Sequence, residues 1–159
     1  MIDDSGRLET VIVCTDGSDL ALRAATAGLA LLKPVERVVV VTVIQAPDEM
    51  ELTGTGTAGG VMSPEEFADL DRARQRQGQT LAAQTAALLA PVKAEIQVLQ
   101  GDPGTTLCAY ARESSAAAVV MGRRGQGRIK RALLGSVSDH VMRNAHCPVV
   151  VSGPPDEDD

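Results

Sequence analysis

Short runs of aliphatic and β-branched residues recur along the chain, with stretches of helical period between them. Val11-Ile-Val-Cys14 is the first run and reads as a strand. The turn Thr15-Asp16-Gly17-Ser18 follows, with Ser18 placed to cap a helix. Leu20, Ala24, Ala27 and Leu31 then recur at the spacing of one helix face, and Lys33-Pro34 ends the segment. Val38 to Ile44 is apolar on both faces apart from Thr42, the pattern of an interior strand of a parallel sheet. Pro47 stops it, and residues 47–62, including the low-complexity Thr53-Gly-Thr-Gly-Thr-Ala-Gly-Gly60, read as a flexible loop.

Ser63-Pro64-Glu65-Glu66 opens the next helix, with a serine cap, proline at the first position and Glu66 placed to close a capping box. The helix is expected to reach about Leu89 before Pro91 ends it. Its apolar stripe of Phe67, Leu70, Leu81 and Leu88 is interrupted between Arg72 and Gln79, and Gly78 adds a point where it is expected to kink or break. Glu95 to Leu99 alternates polar and apolar, the mark of an outer, half-exposed strand. Gly101-Asp102-Pro103 turns into a helix over 103–114, with Asp102 read as its cap. Ala117 to Met121 is a fourth strand, 136–145 a last helix with Ser136 and Asp139 as a capping box, and Pro148 to Ser152 a fifth strand.

Five alternations of strand and helix predict an α/β fold: a doubly wound five-stranded parallel sheet with helices on both faces and right-handed crossovers. One domain over 1–153 and an acidic, solvated tail over 154–159 account for the 159 residues. Ligands of such sheets bind at the carboxyl ends of strands, where strand order reverses. Thr15-Asp16, Val43-Ile44 and Gly122 end strands 1, 2 and 4 and can converge there.

Composition removes several classes of function. One Phe, one Tyr and no Trp leave no platform for base stacking, and a net charge of −6 disfavours nucleic acid as a partner. No apolar run approaches the roughly 20 residues that span a bilayer, and the polar, acidic start is unlike a signal peptide. Cys14, Cys108 and Cys147 are far apart and odd in number, so they read as buried free thiols in a cytoplasmic protein. His140 and His146 have no ligand-spaced partners, which argues against a metal site built by the protein.

Candidate chemistry concentrates after strand 4. Gly122-x2-Gly125-x9-Gly135-Ser136 follows an apolar strand and leads into a helix, with Arg123, Arg124, Arg128, Lys130 and Arg131 inside it and no acid. Glycines allow close backbone approach, and amides at a helix start favour an anion, so this is a candidate phosphate site with Arg124 and Lys130 as phosphate-side cations. Two other matches fail on context. Gly122-x4-Gly127-Arg128-Ile129 lacks the lysine and hydroxyl residue of a P-loop, and Gly54-x-Gly56-x-x-Gly59 lies ten residues beyond its strand. Asp16 can accept from ribose hydroxyls or serve as an ordinary turn residue. No nucleophile elbow or catalytic triad is visible, so no catalytic residue is assigned.

The motifs Val11-Ile-Val-Cys-Thr-Asp16-Gly-Ser18, Gly101-Asp-Pro103, Met121-Gly122-x2-Gly125, Leu134-Gly135-Ser136-Val137-Ser138 and Cys147-Pro148-Val-Val-Val together resemble the universal stress protein family over Val11 to Ser152. The resemblance implies a Rossmann-like fold of the adenine nucleotide alpha hydrolase type, and a homodimer formed through the last strand. It also implies ATP binding, because the pattern that marks the ATP-binding subgroup is present at every position. Carried onto this chain, Val43 contacts adenine through its backbone and Thr15 lines the same pocket. Asp16 and Gly122 meet the ribose, and Gly125, Gly135, Ser136 and Val137 hold phosphates with Ser138 nearby. Mg or Mn would accompany the triphosphate, held largely by phosphate oxygens and water.

The expected role is a nucleotide-dependent switch in stress response or signalling, with at most slow ATP hydrolysis or autophosphorylation. The alternatives are a weak ATPase, a cyclic AMP-binding protein, and a nucleotide-free interaction module.

Overall fold

The computed structural model describes residues 6–32, 34–45, 63–123 and 134–153. Five strands alternate with four helices in these residues: β1 (Leu8–Cys14), α1 (Asp19–Leu31), β2 (Val35–Ile44), α2 (Pro64–Leu88), β3 (Ala94–Gln100), α3 (Pro103–Glu113), β4 (Ala118–Gly122), α4 (Ser136–Asn144) and β5 (Val149–Ser152). The strands form one sheet in the order β3-β2-β1-β4-β5. Every pairing is parallel, with Ile12 opposite Val39 of β2 and Val119 of β4. The expected doubly wound sheet is the observed one. The expected loop 47–62 and acidic tail 154–159 lie outside the described residues.

A parallel sheet must be covered on both faces, and two cores do this. Val11, Val13, Val38, Val40, Ala118 and Val120 point toward α1 and α2, together with Ala25, Ala82 and Leu89. Ile12, Cys14, Val39, Val41, Val119 and Met121 point toward α3 and α4, with Leu107, Ala111 and Val141. β3 is an edge strand whose residues are half-buried or exposed, as its alternating pattern predicts.

The caps read from the sequence form at three of the four helices. Ser18 accepts from Ala21 N at 3.1 Å. Ser63 and Glu66 make both bonds of a capping box. Asp102 accepts from Thr105 N at 2.9 Å, and that bond holds its carboxyl below the usual range.

The buried faces of α1 and α2 differ from those expected. In α1 the buried residues are Ala21, Ala24, Ala25 and Gly28, while Leu31 is 78% exposed and Ala27 faces solvent. In α2 they are Gly78, Ala82 and Thr85, and Leu88 is 64% exposed. α2 is also one continuous helix through Gly78. The reason is close approach. A Cβ on Gly78 would sit 3.0 Å from side-chain atoms of both Ile44 and Val98, so the glycine seats the helix on β2 and β3 instead of breaking it. Gly28 does the same over Val120. Helices that press this closely on a sheet bury small side chains and send the larger ones outward.

Gly28→Ala tests this. The added methyl collides with a Val120 side chain that has no exposed surface. Overpacking typically costs about 1–3 kcal/mol, against about 1 kcal/mol gained in helix propensity. The tight approach to Val120 puts the cost at the upper end of that range, so urea denaturation should show a net loss of about 2 kcal/mol; an unchanged or raised midpoint would mean that Val120 yields freely.

Candidate functional site

Strand order reverses between β1 and β4. The chain leaves β1 toward β2 and β3 on one side and later adds β5 beyond β4 on the other. A cleft of about 810 Å³ opens at the carboxyl ends of these strands, within the range of small-molecule sites. Its inner wall is apolar, formed by Cys14, Val41, Val43, Leu107 and Met121. Its rim carries Asp16, Gly122 and the residues from Leu134 to Asp139.

The far rim is the start of α4. Its N-cap is Gly135, which makes no side-chain capping bond. The capping box expected from Ser136 and Asp139 is absent, because Ser136 already lies inside the helix and Asp139 instead pairs with Arg143, Nε to both oxygens at 3.0 Å. A glycine cap offers no oxygen to the first-turn amides. The N–H groups of Ser136, Val137 and Ser138 lack the intrahelical acceptors that later residues have. Their residues line the cleft.

Backbone and hydroxyl bonds fix this helix start on the sheet. Arg123 N donates to Ser152 O at 2.8 Å and Gly135 N to Arg123 O at 2.9 Å. Ser138 Oγ donates to Gly122 O at 2.8 Å and reaches Arg123 O at 3.2 Å. The hydroxyl of Ser138, in a residue only 3% exposed, therefore ties α4 to the end of β4. Below this rim, Gly104 packs on the His140 ring, where a Cβ would come within 2.7 Å, drawing α3 against α4.

On the opposite rim, Asp16 follows β1 with its Oδ1 accepting from Ser18 N at 3.0 Å. Gly17 adopts φ +78°, left-handed backbone that glycine accepts readily. Thr15 borders the cleft, but its hydroxyl turns away from it: Oγ1 lies 2.9 Å from Thr85 Oγ1 of α2 and accepts from Gly17 N at 3.1 Å.

The cleft thus brings together Thr15, Asp16, Val43, Gly122, Gly135, Ser136, Val137 and Ser138. Gly125, Arg124 and Lys130 lie outside the described residues. Leu107 and Met121 of the wall, and Thr85 behind Thr15, were not singled out from the sequence. Met121 carries a signal, since it ends the strand before Gly122. Thr85 carries none, because its partner is 70 residues away. Among the described residues no group of three or more His, Cys, Asp or Glu is placed to hold a metal ion, and no helix is long and apolar enough to cross a membrane.

Known proteins with similar sequence or fold share this arrangement of elements. The model of the universal stress protein family matches residues 7–152. Universal stress protein MJ0531 of Methanocaldococcus jannaschii is 31% identical over 143 residues, 89% of this chain and 79% of that protein. The solved structure of protein MJ0577 superposes with a TM-score of 0.71 at 21% identity, covering 93% of this chain and 97% of that one. A universal stress protein solved in complex with cAMP gives a TM-score of 0.54 at 24% identity, covering 91% and 96%.

The thiol at the base of the cleft makes a prediction about pH. Burial, reinforced by nearby Cys108 and Cys147, pushes Cys14 from 9.0 up to about 12. The folded chain therefore keeps this proton over a range in which the unfolded chain loses it. Stability is fully present below pH 9 and falls as pH rises toward 12. Urea midpoints should drop between pH 8 and pH 10.5, and Cys14→Val should flatten that drop. An equally steep drop in the variant would assign it to other groups.

Proposed function

The chain belongs to the universal stress protein family, and on that premise we propose that it binds an adenine nucleotide, ATP first among them, in the cleft between β1 and β4. The observation that carries this reading is the uncapped start of α4 opening onto an apolar slot at the switch point. Amide groups and helix dipole there favour a phosphate, while Val41, Val43, Leu107 and Met121 suit the faces of a base. The main chain of Val43 is the group that reads adenine edges in this proposal. Asp16 and Gly122 face the ribose from opposite strands, and Gly125 with Ser136 and Val137 holds phosphate.

The hydrogen bonds refine three roles. Gly135 spends its N–H on Arg123, so it serves by leaving the helix start open. Ser138 and Thr15 spend their hydroxyls on the protein, so they shape the cleft more than they touch ligand. Arg124 and Lys130 supply positive charge for a triphosphate. A divalent cation would rest on phosphate oxygens and water.

In this reading the site holds a nucleotide and signals its presence, as a switch in the stress response, more than it consumes it. The related fold solved with cAMP makes cyclic AMP the second ligand to test. β5 supports a homodimer. It is an edge strand, its Val149, Val150 and Val151 are half-buried, and a second copy would cover them.

Calorimetric titration with ATP, ADP, AMP and cyclic AMP tests the site. Binding to at least one is expected, and Asp16→Ala should weaken it roughly tenfold, the scale of losing a charge-assisted hydrogen bond. No heat with any of the four at millimolar concentration overturns the reading. Sedimentation tests the dimer, which a monomer at tens of micromolar protein would rule out.

A further inference from the structure

The turn that carries Asp16 is held from behind by α2. Thr15 and Thr85 are both buried, 7% and 4% exposed, and their hydroxyl oxygens are 2.9 Å apart. Gly17 N donates to Thr15 Oγ1 at 3.1 Å, and Thr85 Oγ1 donates to Leu81 O at 3.2 Å. Each hydroxyl has one hydrogen. Either threonine could donate between the two, but only with the Thr85 hydrogen on the Leu81 carbonyl and the Thr15 hydrogen on Thr85 do both hydrogens enter one of these bonds. The chain of bonds then has a single direction: Gly17 N–H to Thr15, Thr15 O–H to Thr85, Thr85 O–H to the Leu81 carbonyl. Bonds aligned head to tail polarise one another in a low-dielectric interior.

We propose that Thr85 is a positioning residue of the nucleotide site, fixing the Thr15–Gly17 turn and hence the Asp16 carboxylate without touching the ligand. The inference rests on the nucleotide reading above. Two further features support it. Leu81, one helical turn before Thr85, fills the space that a Gly17 side chain would occupy, so α2 presses on the same turn with an apolar and a polar contact. Position 85 also belongs to the face that carries Ala82 and Leu89 into an aliphatic core. Valine would satisfy that packing as well as threonine. The hydroxyl of Thr85 is needed only as the acceptor for Thr15.

Thr85→Val, Thr85→Ala and Thr85→Ser test the relay against the unaltered chain. Three quantities are read: affinity for AMP and ATP by calorimetry, amide exchange at Gly17 by NMR, and the urea midpoint. Valine keeps the shape and leaves the buried Thr15 hydroxyl without its acceptor. Affinity should fall roughly 5- to 10-fold and Gly17 should exchange faster. Alanine provides the same comparison if valine prevents folding. Serine restores the acceptor, and affinity should return to within about twofold of the unaltered chain.

Thr85→Val with unchanged affinity overturns the proposal, even with a shifted urea midpoint, because that is the mark of a structural role alone. Equal losses in Thr85→Ser and Thr85→Val overturn it too. If the unaltered chain binds no nucleotide, the functional reading fails separately. Gly17 exchange then decides whether Thr85 holds the turn: acceleration in Thr85→Val upholds that, and no change overturns it.

Discussion

Strand β1 is the constraint on which the rest depends. It is paired on both edges, with β2 and β4, and Val11, Ile12 and Val13 have no exposed surface. A strand in that position has only side chains to offer its surroundings, and they alternate. Val11, Val13 and, past the strand end, Thr15 face α1 and α2; Ile12 and Cys14 face α3 and α4. The two cores are therefore linked through one short run of backbone. The turn that leaves the run is fixed on one side by the sheet and on the other by α2.

The cleft follows from the same strand. Neighbours added first on one side of β1 and then on the other leave its carboxyl end uncovered between two diverging connections. Parallel packing aims the start of α4 at that gap, and the glycine at its cap leaves the amides open. The apolar floor is the continuation of the α3–α4 core, since Cys14, Val41, Leu107 and Met121 belong to both. Cleft and core share atoms, so the thiol at the floor is as desolvated as the rest of the core.

Much of this was legible in the sequence for local reasons. β-branched runs at Val11, Val38 and Val149 identify strands because a pleated, doubly covered surface selects such side chains. Ser18, Ser63 with Glu66, and Asp102 declare their caps because the bonds close within three residues. The Thr15-Asp16, Val43 and Gly122 part of the cleft could be assembled from strand ends. Legibility failed where size outweighed hydrophobicity. A stripe drawn through leucines marks Leu31 and Leu88, whereas tight helix-to-sheet contact selects Ala21, Ala25, Gly28, Gly78 and Ala82. Ser136 looks like a cap and is a first-turn residue, because Gly135 beside it already has the extended backbone of a cap. Thr85 was invisible for a different reason: its meaning lies in a hydroxyl contact with Thr15, and no local pattern encodes that.

The hydrogen bond from Gly135 N to Arg123 O, with Ser138 beside it, joins the two flanks of residues 124–133 into a fixed doorway. Doubling the length of a closed segment costs only about 0.6 kcal/mol in chain entropy. Closure of the doorway therefore depends only weakly on the length of chain between its flanks. The ends of β4 and β5 and the start of α4 are joined by bonds made on the flanks, Arg123 N to Ser152 O and Gly135 N to Arg123 O. What keeps the start of α4 beside the end of β4 is the doorway itself, a frame set by Gly122, Arg123, Gly135 and Ser138.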